Sequence, residues 1–525
     1  MFSFHRADRT DWRDLGIALS LSNLCYLRVW SELLTYIPSD TYLMKSPPAP
    51  IQNAAAILNV LLLGILLWLA VRLARRWLAP RAWLLAQIAF FLLLLVPLNA
   101  LRSVLSNRFQ YLKGPLLMAV GAKGMILLGL ALSGLLLILF WFWRRQMIRF
   151  SCAFLLILFP FVPITFTQAV RLALKYDPAR FVDKPLAAPL AAAEPEAPRV
   201  LWIIFDEWDY RLTFLDRPPH LRLPELDRFR REALSASHAS SPHTLTLMSM
   251  PALITGIPVR RAAKLGPDQL LLTFRDSRPP AQWKELPNVF SKAREMGFNT
   301  ALVGWFHPYG RVLNESLTAC WWSVSHMQYN SMGDSLSEIL LGQTRSLVET
   351  VNLSPLGQSA PIRRKVLAFQ ETLRKTKEVA CNSQFGLALL HLPIPHAPHA
   401  YDRRTGEFTL SNSPIGGYLD SLELLDRTLG ELRRAMEASG VWEKTTVLAS
   451  SDHCYRGSQG LDGKIDKRVP FLLKLPGQKE GFTYQPPFNT VLTHDLLLEV
   501  LRGQLTNPQA VIAWLDSRST AARAS

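Results

Sequence analysis

Two apolar runs in this sequence are followed by residues that can bind a metal. Residues 200–205 are followed by Asp206, and residues 445–450 are followed, after one serine, by Asp452 and His453. Apolar runs of this length are typical of buried parallel strands, and open α/β sheets bind ligands beyond the carboxyl ends of their strands. Since carboxylates and imidazoles are common metal ligands, we expect these three side chains to share one metal centre. The alternative is a set of solvated turn residues beside a structural histidine.

A second chemical feature is the hydroxyl-rich segment 241–256, which contains Thr246. A hydroxyl at the start of a helix and beside a metal can act as a nucleophile. The metal lowers the pKa of the hydroxyl, and the helix N-terminus favours the anion that develops. Thr246 is the candidate. The alternative is helix capping by one of these Ser or Thr side chains, which is common.

Histidines follow two further strand-like runs. His391, His396 and His399 lie in the proline-rich segment 391–399, and His307 follows a second apolar run. Histidines can donate to phosphate oxygens, protonate a leaving group or bind a second metal. We expect His307 and the histidine-rich segment to face a substrate; the alternatives are an aromatic packing loop and a proline-rich surface loop.

The elements that would position these residues alternate between strands and helices. This pattern predicts a doubly wound α/β sheet over residues 199–506. An Ala/Pro-rich linker precedes it at residues 174–198, and we expect a flexible tail at residues 507–525. No CxxC pair is present, so a structural zinc module is not indicated. Cys320 and Cys381 are the pair that we expect to form a disulfide, since Cys454 lies beside the expected metal.

The N-terminal part of the chain has the composition of a membrane domain. The chain is 49% hydrophobic, and about 20 apolar residues suffice to span a bilayer. Residues 1–14 are expected to be a cytoplasmic N-terminus and residues 15–173 a transmembrane domain. Its five expected spans are residues 15–37, 53–71, 82–100, 124–143 and 150–173.

The distribution of arginines predicts the orientation of these spans. Arginine-rich loops fall on one side of the expected membrane domain, and such loops are normally cytoplasmic. An odd number of spans then places the α/β domain outside the cytoplasm. The net charge is +17. It is consistent with a protein that acts close to anionic lipid headgroups, or it results only from the arginines in the cytoplasmic loops. Nucleic-acid binding is not indicated, because no basic helix with interleaved aromatic residues is present.

Several segments, taken in order, resemble the alkaline phosphatase superfamily in its sulfatase-like branch. Asp206 resembles its first metal motif, and residues 246–256 resemble the sulfatase nucleophile segment with its terminal Leu-Thr-Gly. Residues 296–307 are similar to the Gly-Lys-Trp-His segment. Residues 451–453 resemble Ser-Asp-His-Gly, and residues 468–470 match Arg-Val-Pro. The resemblance covers nearly the whole of the expected α/β domain and implies its fold.

The residues of the nucleophile segment indicate which group of enzymes within this branch the sequence resembles. Type I sulfatases carry a Cys or Ser that is converted to formylglycine and is followed by Pro and Arg. This sequence has Thr246 at that place and no such Arg; Thr246, Ser249 and Pro251 instead form Thr-x-x-Ser-x-Pro. That pattern, after five expected spans, resembles the lipid A phosphoethanolamine transferases and the lipoteichoic acid synthases.

The resemblance implies a function for this chain. We expect a metal-dependent transferase that moves a phospho-alcohol group from a membrane phospholipid donor to an envelope lipid or glycan acceptor, through a covalent phospho-threonine at Thr246. It would be a multi-pass protein of the bacterial inner membrane with an extracytoplasmic catalytic domain. The alternative is a phosphodiesterase or sulfatase-like ester hydrolase at the same site. A third alternative is a non-enzymatic membrane protein that keeps the fold.

The resemblance also implies the roles of individual residues. Asp206, Thr246, Asp452 and His453 would bind the metal, and His396 would lie near the substrate or a second ion. A mixed set of nitrogen and oxygen ligands suits zinc or manganese better than magnesium. Glu207, next to Asp206, is open as a further ligand.

Overall fold

The computed structural model describes most of the chain, which forms two compact units. The described residues are 6–34, 41–77, 80–108, 124, 127, 131, 135, 142–143, 145–191, 196–324, 335–350, 356–409 and 416–524. The first unit, the helical unit, comprises Met1–Tyr36, Ser46–Asp177 and Tyr329–Gln358. The second, the α/β unit, comprises Ile37–Lys45, Pro178–Gln328 and Ser359–Ser525.

The α/β unit is built around a mixed sheet of eight strands among the described residues. They are β1 Val200–Phe205, β2 Leu234–Ala236, β3 Asn299–Trp305, β4 Ala319–Ser323, β5 Phe385–Leu392, β6 Thr446–Ser451, β7 Phe471–Lys474 and β8 Phe482–Tyr484. Their order across the sheet is β8-β2-β7-β6-β1-β5-β3-β4. The five strands from β6 to β4 are parallel, and β7 pairs antiparallel with both β6 and β2. The expected α/β sheet is confirmed, with an antiparallel strand within it.

The sheet is covered on both faces. Val200, Trp202 and Ile204 pack in one apolar cluster, whereas Leu201 and Ile203 pack in another. This division follows from the alternation of side chains along a strand. A strand buried on both sides can carry polar residues only at its ends, which is where the candidate site residues lie.

Helices and short strands complete the α/β unit. Its helices are Pro224–Arg231, Thr246–Thr255, Val289–Glu295, Tyr309–Val312, Leu356–Cys381, Gly416–Ala438, Gln459–Asp462, Thr493–Leu501 and Pro508–Ala524. Its smaller strands are Ala239–Ser240, Val259–Gly266, Gln269–Phe274, Ala281–Gln282, Tyr401–Asp402, Glu407–Phe408 and Phe488–Asn489.

The expected tail is ordered over most of its length. Residues 507–525 were expected to be flexible, but Pro508–Ala524 is a helix. Val511 and Leu515 are fully buried in the apolar core, and their packing anchors this helix to the α/β unit. Apolar residues at positions four apart lie on one face of a helix, and that spacing was the signal for this contact.

The helical unit contains fewer candidate spans than the sequence suggested. Its helices are Arg6–Cys25, Leu27–Leu34, Pro50–Trp77, Pro80–Arg108, Arg145–Ile157, Phe161–Leu174 and Leu336–Thr350. Within the described ranges, Pro50–Trp77 alone is long and apolar enough to cross a membrane; a second span results if Arg145–Ile157 and Phe161–Leu174 form one bent span. The expected span 124–143 lies almost entirely outside the described residues. Five spans are therefore not supported, and membrane association has weak support from one or two helices.

Candidate active site

Two neighbouring strands bring the expected metal ligands together. β1 and β6 are parallel, and Phe205 pairs with Ser451 at their last residues. Asp206 and Asp452 therefore leave the sheet side by side, and His453 follows. All three side chains have an exposed fraction of 0%. The sequence-based prediction that these residues meet at one end of one sheet agrees with this geometry.

Thr246 lies at the start of the helix Thr246–Thr255, beside these ligands. Its Oγ1 is 3.2 Å from His453 Nε2 and 3.4 Å from Asp206 Oδ2. The N-cap position is taken by Leu245, which makes no side-chain capping bond. The capping alternative therefore does not describe Thr246. Its hydroxyl faces the ligands, and the positive end of the helix dipole favours a negative charge there.

The hydrogen bonds of His453 fix which ring nitrogen faces the site. Nδ1 lies 2.9 Å from the carbonyl oxygen of Cys454. A carbonyl can only accept, so Nδ1 carries the hydrogen and donates it. In the neutral ring Nε2 then presents a lone pair toward Thr246 and the carboxylates, the form in which an imidazole binds a metal.

The arrangement fits a divalent cation. Ligand atoms of Asp206, Asp452 and His453 all lie within 4.8 Å of one another. Asp206 Oδ1 and Asp452 Oδ2 are buried and have no hydrogen-bond partner in the described part of the chain. Burial raises the pKa of Asp206 well above its usual range, and the neighbouring Asp452 and Glu207 carboxylates raise it further. Buried carboxylates without partners are costly, and a cation between them removes that cost.

Glu207 points away from this group. Its carboxylate is paired with Arg456, with Oε1 2.7 Å from Nη2. Its backbone N–H donates to Asp452 Oδ1 over 3.3 Å. Glu207 has a φ of 65°, an unfavourable conformation for a residue with a Cβ. The strained turn thus orients Asp452 through the backbone, and the Glu207 side chain binds Arg456 instead of joining the metal-ligand group.

The expected substrate histidines occupy different positions. His307 is fully buried, and both of its ring nitrogens are within hydrogen-bond distance of protein atoms, Tyr42 Oη and the Thr246 carbonyl oxygen. It therefore supports the nucleophile's helix and, in this arrangement, has no ring nitrogen left for a substrate. His396 is half-buried, with its ring 5.2 Å from that of Trp305 at the end of β3. Its contact with substrate stays a prediction.

Two further residues lie near the site: His391, from the histidine-rich segment, and Lys365, which had no strong signal in the sequence. His391, at the end of β5, has its Nε2 3.9 Å from Asp206 Oδ2 and its Nδ1 2.8 Å from Tyr309 Oη. Lys365, on the helix Leu356–Cys381, is buried and donates to the His396 carbonyl. Burial lowers the pKa of Lys365 to about 7, although Asp206 and Glu207 raise it. A lysine in a polar helix gives no local sign that it will be buried.

The cysteines form no disulfide. Cys320 and Cys381 were expected to pair, but both are thiols in this structure. Cys320 is on an edge strand of the sheet, whereas Cys381 ends a helix. Cys454, next to His453, is buried, and burial raises the pKa of its thiol to about 11. A protonated thiol is a poor nucleophile and a poor metal ligand.

Comparisons with known proteins give the family of this chain. The sequence model of the sulfatase family, described as "Sulfatase", matches residues 198–501. A curated relative, the ulvan-active sulfatase of Formosa agariphila, is 23% identical over 337 residues, which cover 57% of this chain and 60% of that protein. The chain thus spans less than two thirds of the length of this relative.

Two solved structures illustrate the similarity of fold. Ps i-CgsB in complex with k-i-k-neocarrahexaose has a TM-score of 0.42 and 17% identity, covering 60% of this chain and 74% of that one. The phosphonate monoester hydrolase of Agrobacterium radiobacter has a TM-score of 0.39 and 16% identity, covering 58% and 74%. The family match extends over more than half of the residues and contains Asp206, Thr246, Asp452 and His453. The chain therefore belongs to the sulfatase family, as a sulfatase-like enzyme.

Proposed function

We propose that this protein is a metal-dependent transferase that uses Thr246 to move a phospho-alcohol group from a membrane phospholipid to an envelope lipid or glycan. The observation that carries the proposal is the position of Thr246. Its hydroxyl lies at a helix N-terminus, 3.2 Å from His453 Nε2 and 3.4 Å from Asp206 Oδ2. A threonine cannot become the formylglycine aldehyde of type I sulfatases, which supports the hydroxyl itself as the nucleophile.

The reaction would proceed in two displacements. Thr246 Oγ1 attacks the phosphorus of a phosphodiester, and the bond from phosphorus to the lipid alcohol breaks. A hydroxyl of the acceptor then attacks the phospho-threonine and releases Thr246. Asp206 Oδ2 lies within reach of the Thr246 hydroxyl hydrogen, and the proton lost by Thr246 would leave on the lipid alcohol, whereas the lone pair of His453 Nε2 would be used by the cation. A divalent cation held by Asp206, Asp452 and His453, for which zinc and manganese are the candidates, would stabilise the alkoxide and the developing charge.

The charges near the site favour a monoanionic substrate. Asp206 and Asp452 together would balance one divalent cation. Lys365 interacts electrostatically with Asp206 and Glu207 and adds a positive charge when protonated. Because Glu207 is already paired with Arg456, this charge is left for a ligand. A phosphodiester or a sulfate ester carries one negative charge, whereas a phosphate monoester carries up to two.

A lipid donor is supported by the apolar helix Pro50–Trp77, which is long enough to cross a membrane. Arginines at the end of this helix, Arg75 and Arg76, favour a cytoplasmic position for that end. We propose that the protein lies in the bacterial inner membrane with its α/β unit outside the cytoplasm. A reporter fused after Ala173 tests this placement, because a cytoplasmic signal would overturn it.

The test of the reaction is mass spectrometry of the Thr246 peptide after the full-length protein has been incubated with bacterial phospholipids. A phosphoethanolamine or phosphoglycerol adduct on Thr246, absent from a Thr246→Ala control, is the expected result, and its mass names the group transferred. Full turnover by Thr246→Ala would overturn the nucleophile assignment.

A second candidate, hydrolysis at the same site, is favoured by the membership in the sulfatase family. Water would then take the place of the acceptor hydroxyl. Release of the free phospho-alcohol at the same rate with and without envelope lipids would favour hydrolysis. Release of sulfate from 4-nitrophenyl sulfate would favour a sulfatase.

A further inference from the structure

A short segment from the N-terminal part of the chain is built into the α/β unit. Residues 41–45 follow the helix Leu27–Leu34 and precede the helix Pro50–Trp77 in the sequence, yet they are compact with the α/β unit. Tyr42 and Leu43 are buried there, with exposed fractions of 0% and 3%, and both belong to its apolar core. A buried tyrosine hydroxyl needs a hydrogen-bond partner.

That partner is His307, which in turn contacts the nucleophile's backbone. Tyr42 Oη is 2.9 Å from His307 Nδ1, and His307 Nε2 is 3.1 Å from the carbonyl oxygen of Thr246. The carbonyl can only accept, so Nε2 carries the hydrogen and Nδ1 of the neutral ring must accept. Tyr42 therefore donates to His307, and His307 donates to Thr246. The His307 ring is fully buried, and burial disfavours a charged ring.

The Tyr42 segment and the His307 ring are both held in place. An Arg311 Nη2 hydrogen is donated to the Met44 carbonyl over 2.6 Å, and the ammonium group of Lys45 lies 4.8 Å from the ring centre of Trp322. The His307 ring packs edge-on against Trp283 with 4.9 Å between ring centres. A fixed tyrosine and a fixed imidazole can together define the position of the carbonyl that they reach.

We propose that Tyr42 is a positioning residue for the nucleophile: its hydroxyl orients His307, and His307 holds the first turn of the helix that begins with Thr246. The carbonyl and the hydroxyl of Thr246 belong to one residue, so fixing the first restricts where the second points. A displacement of about 1 Å at a reacting atom can reduce turnover about a hundredfold. The α/β unit is then catalytically incomplete without residues 41–45. This inference rests on the proposed function, because it takes Thr246 as the nucleophile.

The alternative is that Tyr42 only fills space in the core. Tyr42→Phe separates the two roles, since it keeps the ring and removes only the hydroxyl. Tyr484→Phe is the matched control: Tyr484 is also buried, and its hydroxyl donates to Asp516 Oδ1 over 2.9 Å in a contact outside the site.

The experiment compares the full-length variants, loaded with the metal that restores the highest wild-type turnover, on bis(4-nitrophenyl) phosphate. We expect Y42F to lose at least about tenfold in kcat with KM and metal content within about twofold of wild type, because only the nucleophile is misplaced. Y484F should shift the melting temperature by a similar amount and leave kcat unchanged. A wild-type kcat in Y42F overturns the proposal, whereas turnover by Thr246→Ala overturns the proposed function instead.

A double-mutant cycle adds a test that packing alone cannot satisfy. If Tyr42 acts through His307, Y42F should cause no further loss of kcat in a His307→Gln background. Losses that multiply would show independent roles and overturn the proposal. If Y42F fails to fold, H307Q tests the same link from the other side, and a wild-type kcat in that variant also overturns it.

Discussion

The Ser249 hydroxyl donates its hydrogen to the backbone carbonyl of Asp452, and both residues are fully buried. Ser249 lies one turn after Thr246 on the same helix. The nucleophile's helix is therefore bonded directly to the turn that carries Asp452 and His453. This bond gives the serine of the Thr-x-x-Ser-x-Pro segment a structural role in keeping the hydroxyl and the metal ligands at a fixed separation.

Substituting Ser249 by alanine tests this link. The Asp452 carbonyl would lose a buried donor, so we expect the free energy of unfolding to fall by about 1–3 kcal/mol. We also expect kcat to fall, because the helix and the ligand turn are no longer joined. Denaturant unfolding and kinetics on the full-length chain measure the two effects. Ser439→Ala is the control, since its hydroxyl donates to the Ala435 carbonyl on an exposed helix end; equal losses in both variants would contradict the role of Ser249.

Asp452 and Glu207 are predicted to differ in their importance for the metal. Asp452 Oδ2 is buried and has no hydrogen-bond partner in the described structure, whereas the Glu207 carboxylate is paired with Arg456. We therefore expect Asp452→Asn to lower the bound metal, measured by elemental analysis after dialysis, by about tenfold or more. Glu207→Gln should retain most of it. Unchanged metal in D452N would count against the site, and equal loss in both variants would make Glu207 a ligand.

The parts of the site that could be predicted from the sequence are those with a local pattern. Asp206, Asp452 and His453 each follow an apolar run, and strands of one sheet bring such ends together. Lys365 and Tyr42 had no such pattern, because they come from a helix and from an N-terminal segment whose contacts are long-range. The helix Leu336–Thr350 shows the same limit: it lies between β4 and the helix Leu356–Cys381 in the sequence, but belongs to the helical unit. In that unit, Gln343 Nε2 donates to the Gln52 carbonyl over 2.9 Å. The periodicity of apolar residues in the sequence does not predict such a long-range contact.

Lys365 is predicted to increase catalytic activity and to lower the stability of the folded protein. Its buried ammonium donates to the His396 carbonyl, and burial disfavours its charged form. We expect Lys365→Met to reduce kcat/KM for bis(4-nitrophenyl) phosphate by about tenfold or more, while the melting temperature stays the same or rises. Lys377→Met on the same helix is the control, because Lys377 pairs with Glu431 at the surface. A K365M variant that unfolds at a lower temperature and keeps its kcat/KM would show a structural lysine instead.

Asp426 is predicted to make stability depend on pH. Its side chain is 4% exposed, and its Oδ1 accepts a hydrogen bond from the Leu226 backbone N–H over 2.7 Å. Burial raises the pKa of Asp426 to about 7, and Glu225 and Asp227 add to the increase, although backbone hydrogen bonds oppose it. In the unfolded chain this pKa is about 3.9. The folded protein therefore binds more protons than the unfolded chain between these two values, and its stability falls as the pH rises toward 7.

Asp426→Asn removes this titration while its amide oxygen can still accept the Leu226 hydrogen bond. We expect the free energy of unfolding of D426N, minus that of wild type, to increase by roughly 2 kcal/mol when the pH is raised from 5 to 8. Using the difference between the two proteins cancels the other groups that titrate in this range. Denaturant unfolding at four pH values measures it. A difference that is constant with pH would show that Asp426 is ionised in the folded protein throughout, so that burial does not control its proton.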